Sequence, residues 1–194
     1  MEKGHAGLFI LLGALGGLTP LAIDMYLPAM PAIASDLGAG VEGAQLTVSL
    51  FMAGFALGQL FYGPLADSLG RKRVLVVGLG LFVLASLGCA LVNSLPWLLA
   101  LRFVQALGGA AAAVVVNALL RDLFSGMELV RAMSMAMMTM TLAPLVAPLI
   151  GGALLGWGWR TIFVTLALLA ALVRWQIEQR LPETLSPARR RSLD

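Results

Sequence analysis

Residues 63–73 read Gly-Pro-Leu-Ala-Asp-Ser-Leu-Gly-Arg-Lys-Arg, so an acid, one glycine turn and three consecutive cations join two long apolar runs. The flanking runs, residues 45–66 and 74–93, are each close to the ~20 mostly apolar residues that cross ~30 Å of hydrocarbon. A water-soluble helical hairpin has no use for such a cluster between two greasy segments. A membrane hairpin does, because cations collect at its cytoplasmic turn.

The same pattern recurs along the chain. Spans are expected near residues 8–31, 45–66, 74–93, 96–120, 131–155 and 161–180, with connections at 31–44, 67–73, 93–95, 121–130 and 156–160. Long, uniformly apolar runs without period-two alternation predict helices, not barrel strands. The fold class is therefore an all-α integral membrane bundle of six helices over residues 1–180, followed by a polar tail at 181–194. Composition agrees: 60% of residues are hydrophobic and 12% charged, against about 25% charged in soluble domains.

The net charge of +3 does not point to nucleic acid, because the cations form small clusters between apolar runs and no continuous stripe. Cys89 is the sole cysteine and lies in an apolar run, so it reads as a small packed hydrophobe with no intrachain disulfide to make. His5 reads as a solvated end residue. The first apolar run is too long for a signal-peptide core, so the first helix is expected to stay as an anchor. The sequence has no metal-spaced His or Cys cluster, phosphate loop or nucleophile–base set, so neither an enzyme nor a cofactor is expected.

Cations set the orientation. With a cytoplasmic N-terminus, Lys3, Arg71, Lys72, Arg73, Arg121, Arg131, Arg174, Arg180 and Arg189–Arg191 fall on the inner side and only Arg160 on the outer. This positive-inside bias predicts that both termini are cytoplasmic.

Two charges remain inside spans. Asp24, in Pro20-Leu-Ala-Ile-Asp-Met-Tyr-Leu-Pro28, is expected about 10 Å below the outer end of the first span. Arg102 follows Pro96 on a descending span and is expected at similar depth. Ionisable groups in hydrocarbon are costly and face a cavity or a partner. The two can pair directly or both line one water-filled pocket, and Asp24 can load and release a proton as its surroundings change. A purely structural role for each is the competing reading. Gln105 is placed to hydrogen-bond Arg102 or substrate. Tyr26, Gln59, Asn117, Thr139 and Thr141 can line a cavity, though interhelical hydrogen bonds explain each equally well. The methionines at 133, 135, 137, 138 and 140 suit either a core or a promiscuous surface. Gly13/Gly17 and Gly54/Gly58 read as close-packing pairs.

These motifs resemble one family. Gly63, Asp67, Gly70, Arg71 and Lys72 are similar to the loop between helices two and three of major facilitator superfamily transporters, with Ser68 in place of the usual basic residue. Pro20 to Pro31 resembles the first helix of the Bcr/CflA group of drug:proton antiporters. Arg102, Gln105 and Gly108 resemble the fourth-helix motif with a looser glycine register. Ala147, Pro148, Gly151 and Gly152 resemble the antiporter motif of helix five, alanine replacing its first glycine. Trp159-Arg160-x-Ile162-Phe163 and Leu181-Pro-Glu-Thr184 are similar to the start and the end of the family's sixth helix. The resemblance implies the N-terminal half, a three-plus-three inverted repeat, of a twelve-helix transporter. It further implies a bacterial inner-membrane protein that exchanges protons for amphipathic drug-like molecules, with Asp24 as the membrane-embedded acid and Arg102 linked to proton transfer. In the family the loop braces the two halves. A second six-helix half is then needed, either from a longer chain of which this is a fragment or from a second copy. The competing functions are a uniporter or importer of a small metabolite, and a non-transporting membrane scaffold.

Overall fold

The computed structural model describes residues 3–185, and side chains from Gly7 onward. The tail residues 186–194 and the side chains of Lys3 and His5 lie outside the described residues. Seven helices make six spans: α1 (Lys3–Asp24), α2 (Met30–Asp36), α3 (Gly40–Leu69), α4 (Arg71–Leu91), α5 (Leu95–Leu123), α6 (Gly126–Leu154) and α7 (Arg160–Arg180). The chain is an all-helical membrane half-bundle, as its sequence predicts, with no strand among the described residues.

The first span is longer than the apolar run suggests and is broken. It extends from Gly7 to Asp36, with a 3-10 turn at Leu27–Ala29 between α1 and α2. Pro28 and Pro31 have no N–H, so the Asp24 and Leu27 carbonyls receive no donor from four residues on. Met25 still donates to Leu21 and Ala29 to Tyr26, both at 3.0 Å. The helix then restarts with Pro31 in its first turn, where a missing donor costs nothing. Asp24 therefore lies twelve residues, roughly 18 Å of helix, from the end of its span instead of the ~10 Å expected.

Connections are also shorter than expected. Asp67 and Arg71–Arg73 belong to helices, and the turn between α3 and α4 is Gly70 alone, at φ 100°. Only glycine adopts that conformation without strain. Arg121 and Arg131 likewise lie within α5 and α6. Helix α7 ends at Arg180.

Helix α5 is the hub, packing on α3 and α4, while α1 packs on α6 and α4 on α7. This is the pairing of an inverted repeat, in which α1, α3 and α4 correspond to α5, α6 and α7. Glycines allow these approaches. A Cβ on Gly108 would lie 2.5 Å from the Phe82 nitrogen and 2.7 Å from the Gly78 carbonyl, and one on Gly54 would lie 2.5 Å from the Phe103 carbonyl. These are backbone atoms, so no rotamer change relieves the clash. Gly108→Val is expected to part α4 from α5 and cost about 3 kcal/mol, the upper end of overpacking penalties; a detergent melt of the purified protein measures it. Gly13 and Gly17 receive Thr139 of α6, and Cys89 is buried. Both are ordinary packing positions.

Side-chain clusters close each end of the bundle. At one end Arg160 donates to Asp36 at 2.7 Å and to Asn93 at 2.8 Å, and Trp159 donates its indole N–H to the same Asp36 oxygen at 3.0 Å. At the other, the Arg71 guanidinium donates to Asp122 and to the Ala118 carbonyl at 2.8 Å, with Asp67 3.9 Å away. Glu183 accepts the Arg71 backbone N–H at 3.0 Å, placing a carboxylate on the N-terminus of α4. Thr184 donates to Asp122 at 2.8 Å, and Lys72 donates to the Glu178 carbonyl at 2.9 Å. The loop motif is thus a cross-brace linking α3, α4, α5 and the segment after α7. Ser68 donates to its own helix at the Leu65 carbonyl. Gly63 sits in α3 with open space around it. Arg174 pairs with Glu178 at 3.0 Å one turn on.

Candidate proton and substrate site

The break in α1 creates the site. A helix end leaves its last carbonyls without donors, and the Ala22 carbonyl is one of them. Arg102 of α5 reaches it, its Nη1 donating at 3.1 Å, so α5 supplies a donor at the end of α1. Arg102 is fully buried. Its guanidinium carbon lies 4.3 Å from the centroid of Phe51, 4.5 Å from Tyr26 and 5.7 Å from Phe163, a cage drawn from three spans. Such stacking stabilises a desolvated cation by about 2 kcal/mol or more per well-placed ring.

Two hydrogen-bond chains fix the cage. Arg102 donates to Gln105 Oε1 at 2.8 Å, Gln105 donates to the Ser86 hydroxyl at 2.7 Å, and Ser86 donates to the Phe82 carbonyl at 2.7 Å. The Tyr26 and Thr47 hydroxyls share a bond of 2.6 Å, and Thr47 donates to the Ala44 carbonyl at 2.6 Å. Arg102 Nε and Nη2 are buried and make no hydrogen bond. The guanidinium stays charged, and these two nitrogens are enclosed within the cage.

Asp24 and Arg102 do not pair. Asp24 is partly exposed and has no hydrogen bond or ion pair among the described residues. Helix geometry gives the reason: Asp24 leaves α1 about 200° around from Ala22, whose carbonyl Arg102 caps, and residues two apart do not share a face. The acid and the base are close in sequence depth but address different sides of the first span.

The helix-five motif meets the break from the other side. Ala147 and Gly151 of α6 are buried, and a Cβ on Gly151 would collide with the Met25 carbonyl, one residue beyond Asp24. Pro148 removes a further helical donor from α6, and Gly152 faces open space. So Asp24, Tyr26, Arg102, Gln105, Ala147 and Gly151 gather around one discontinuity. Asn117 does not join them. It lies fifteen residues along α5 from Arg102, roughly 22 Å, exposed and bonded to its own helix at the Ala113 carbonyl. Tyr26 is buried in the cage and lines no open surface. Thr139 and Thr141 bond their own helix, and Gln59 is exposed on α3.

Sequence reasoning missed Ser86, Thr47, Phe51 and Phe163. The one usable signal was a small hydroxyl residue in an otherwise apolar run, and many such residues only back-bond to their own helix.

The sequence profile of the Major Facilitator Superfamily matches residues 12–191. The chain belongs to the major facilitator superfamily. Among similar superfamily members, an uncharacterized MFS-type transporter, YdgK, of Bacillus subtilis is 42% identical over 94% of this chain and 46% of its own length. A bicyclomycin resistance protein homolog of Haemophilus influenzae is 44% identical over 91% of the chain and 45% of its own. Multidrug resistance protein D of Escherichia coli is 34% identical, covering 94% and 47%. The chain thus spans about half the length of the curated relatives it matches. Solved superfamily folds superpose on it. The human organic anion transporter MFSD10 does so with a TM-score of 0.75 at 20% identity, over 98% of this chain and 50% of that one. An inward-facing bacterial homolog of the human lysosomal transporter Spinster does so at 0.77 and 21% identity, over 94% and 44%.

Proposed function

We propose that the chain is the N-terminal half of a proton-driven exporter of amphipathic, drug-like molecules in the bacterial inner membrane, with both termini cytoplasmic. The observation that carries the reading is Asp24: a carboxyl deep in the first span, at a helix discontinuity, with no cation among the described residues to hold it ionised. Intramembrane acids without a structural partner mark ion and proton pathways, and broken spans at repeat interfaces form coupling-ion sites in transporters. Relatives named for bicyclomycin and multidrug resistance support drugs as cargo.

In this mechanism the half rocks against a second six-helix half around a midplane site. Helices α3 and α6 are the least covered by the rest of the bundle, which suits them to flank that half. Asp24 takes a proton when the site faces outward and yields it inward. Substrate and proton occupy the site in turn, so an inward proton gradient drives export. Arg102 holds the α1 break in shape.

Everted membrane vesicles of the transporter, assembled with its second half, test the reading. An acid interior is expected to drive ethidium uptake, and a protonophore to abolish it. Uptake that ignores the protonophore would overturn proton drive, and substrate entry only in the import direction would favour the metabolite-importer reading.

A further inference from the structure

An apolar cavity of about 400 Å³ opens between α1, α6 and α7, lined by residues that include Ala14, Gly17, Leu21, Met138, Leu142 and Leu169. It arises because equivalent helix pairs of the repeat pack differently. Helices α4 and α5 meet backbone to backbone at Gly78 and Gly108. The corresponding pair, α7 and the first span, meets at Phe163 against Tyr26, just beyond α1, toward one end and at Arg180 beside Gly7 of α1 at the other. The cavity lies between those contacts. Its volume falls within the roughly 300–1,000 Å³ of small-molecule sites. Thr139 is the polar residue in this lining, and its hydroxyl already donates to the Met135 carbonyl at 3.1 Å. The cavity therefore offers water no polar partners, and an apolar void of this kind takes an apolar guest. Exposed Leu142, Val146 and Leu169 rim the opening with apolar side chains, which suits an acyl chain entering it.

The cation-rich end of the same seam carries a second, independent feature. Arg131 and Arg180 are exposed, and neither has a hydrogen bond or ion pair among the described residues. Arg131 lies one turn before Met135, about 6 Å along α6, and Arg180 seven residues beyond Val173, about 10 Å along α7. Basic pockets between spans on the cytoplasmic side recognise anionic headgroups. We propose that this seam is a binding site for an anionic phospholipid, with one acyl chain in the α1/α6/α7 cavity and the phosphate drawn to Arg131 and Arg180. The site wedges a lipid between the first span and the two helices behind it, so membrane composition bears on how freely α1 moves. It does not depend on which substrate the transporter carries.

The test is photocross-linking in lipid nanodiscs, with phosphatidylglycerol carrying a diazirine in its acyl chain and the phosphatidylcholine analogue as control. Labelling is expected on the α6 stretch 135–146 and the α7 stretch 169–173, and to favour phosphatidylglycerol by about five-fold per arginine. Ala14→Phe fills the cavity mouth and is expected to remove that labelling. The double variant Arg131→Gln/Arg180→Gln is expected to equalise the two lipids, and it decides the matter should Ala14→Phe misfold. Labelling of the cavity no stronger than that of the exposed α4 residues Leu84 and Leu91 would overturn the proposal. So would equal labelling by both lipids in the unaltered protein. Displacement of either lipid by ethidium, without headgroup preference, would make the cavity a substrate port instead.

Discussion

Asp24→Asn is expected to reduce pH-gradient-driven export to background while leaving the bundle as stable as before. The substitution preserves size, exchanges one carboxyl oxygen for an amide NH2 and removes the group's ability to titrate. Asp24 has no ion pair or hydrogen bond to lose among the described residues, so the change in stability should stay within about 0.5 kcal/mol, as for substitutions that break no specific interaction. Substrate can still enter the site and cross down its own gradient, since alternating access itself needs no charge. Two measurements on one preparation separate these effects. The protonophore-sensitive part of ethidium flux should vanish, and the thermal melt in detergent should not move. The sign with pH follows: flux through the unaltered protein grows as the outward-facing side is acidified, whereas flux through Asp24→Asn stays flat. Asp24→Glu, which restores a titrating carboxyl one methylene further out, should recover part of the coupling. Retained proton-coupled export in Asp24→Asn would remove the proposed carrier. A large fall in melting temperature would instead give Asp24 a structural role.

The helices were legible because hydrocarbon demands long apolar runs, and those runs are unmistakable. Their ends were less so. Polar residues such as Asp67, Arg71 and Arg121 read as loop residues, yet they belong to helices that project past the hydrophobic slab, where a charged side chain costs nothing. The first span shows the opposite problem. Pro28 and Pro31 read as its end, but a proline fits the first turn of a new helix, so the chain breaks and continues to Asp36. At the site, the residue types were legible and the pairing was not. Asp24 and Arg102 invite each other by charge, and depth allows it. What decides is azimuth: Arg102 meets α1 on the side of the Ala22 carbonyl, Asp24 leaves the helix about 200° around from it, and which face of α1 meets α5 is set by packing, of which composition carries no record. Arg102 with Gln105 was readable because three residues on one helix share a face. Partners from other spans, such as Phe51 and Phe163, became visible only once the helices were packed.

Arg102→Ala and Arg102→Met should separate what the guanidinium does for the fold from what it does for function. The buried cation has no carboxylate partner among the described residues. Desolvating an ion costs several kcal/mol. Against this stand two close aromatic faces, at about 2 kcal/mol each, and two hydrogen bonds from a charged donor, at about 1.5–3 kcal/mol each. These terms oppose one another, so the charge adds less to stability than its contacts alone suggest, and the shape of the side chain matters as well. Alanine leaves a void ringed by Tyr26, Phe51 and Phe163 and strips the Ala22 carbonyl and Gln105 of their partner. A cost of about 3–5 kcal/mol is expected, the range for large-to-small changes in a core. Methionine refills most of that volume with a flexible apolar chain, loses the same hydrogen bonds, and is expected to cost less than about 2 kcal/mol, since replacing buried charge by apolar volume is often near neutral. Both should abolish proton-driven flux, because neither presents a donor at the α1 break. Unfolding followed by intrinsic tryptophan fluorescence in detergent gives the two stabilities, and the vesicle assay gives the flux. Equal, large losses of stability in both variants would show that the guanidinium holds the helices together through its charge. A stable methionine variant without coupled export would assign Arg102 to the transport cycle.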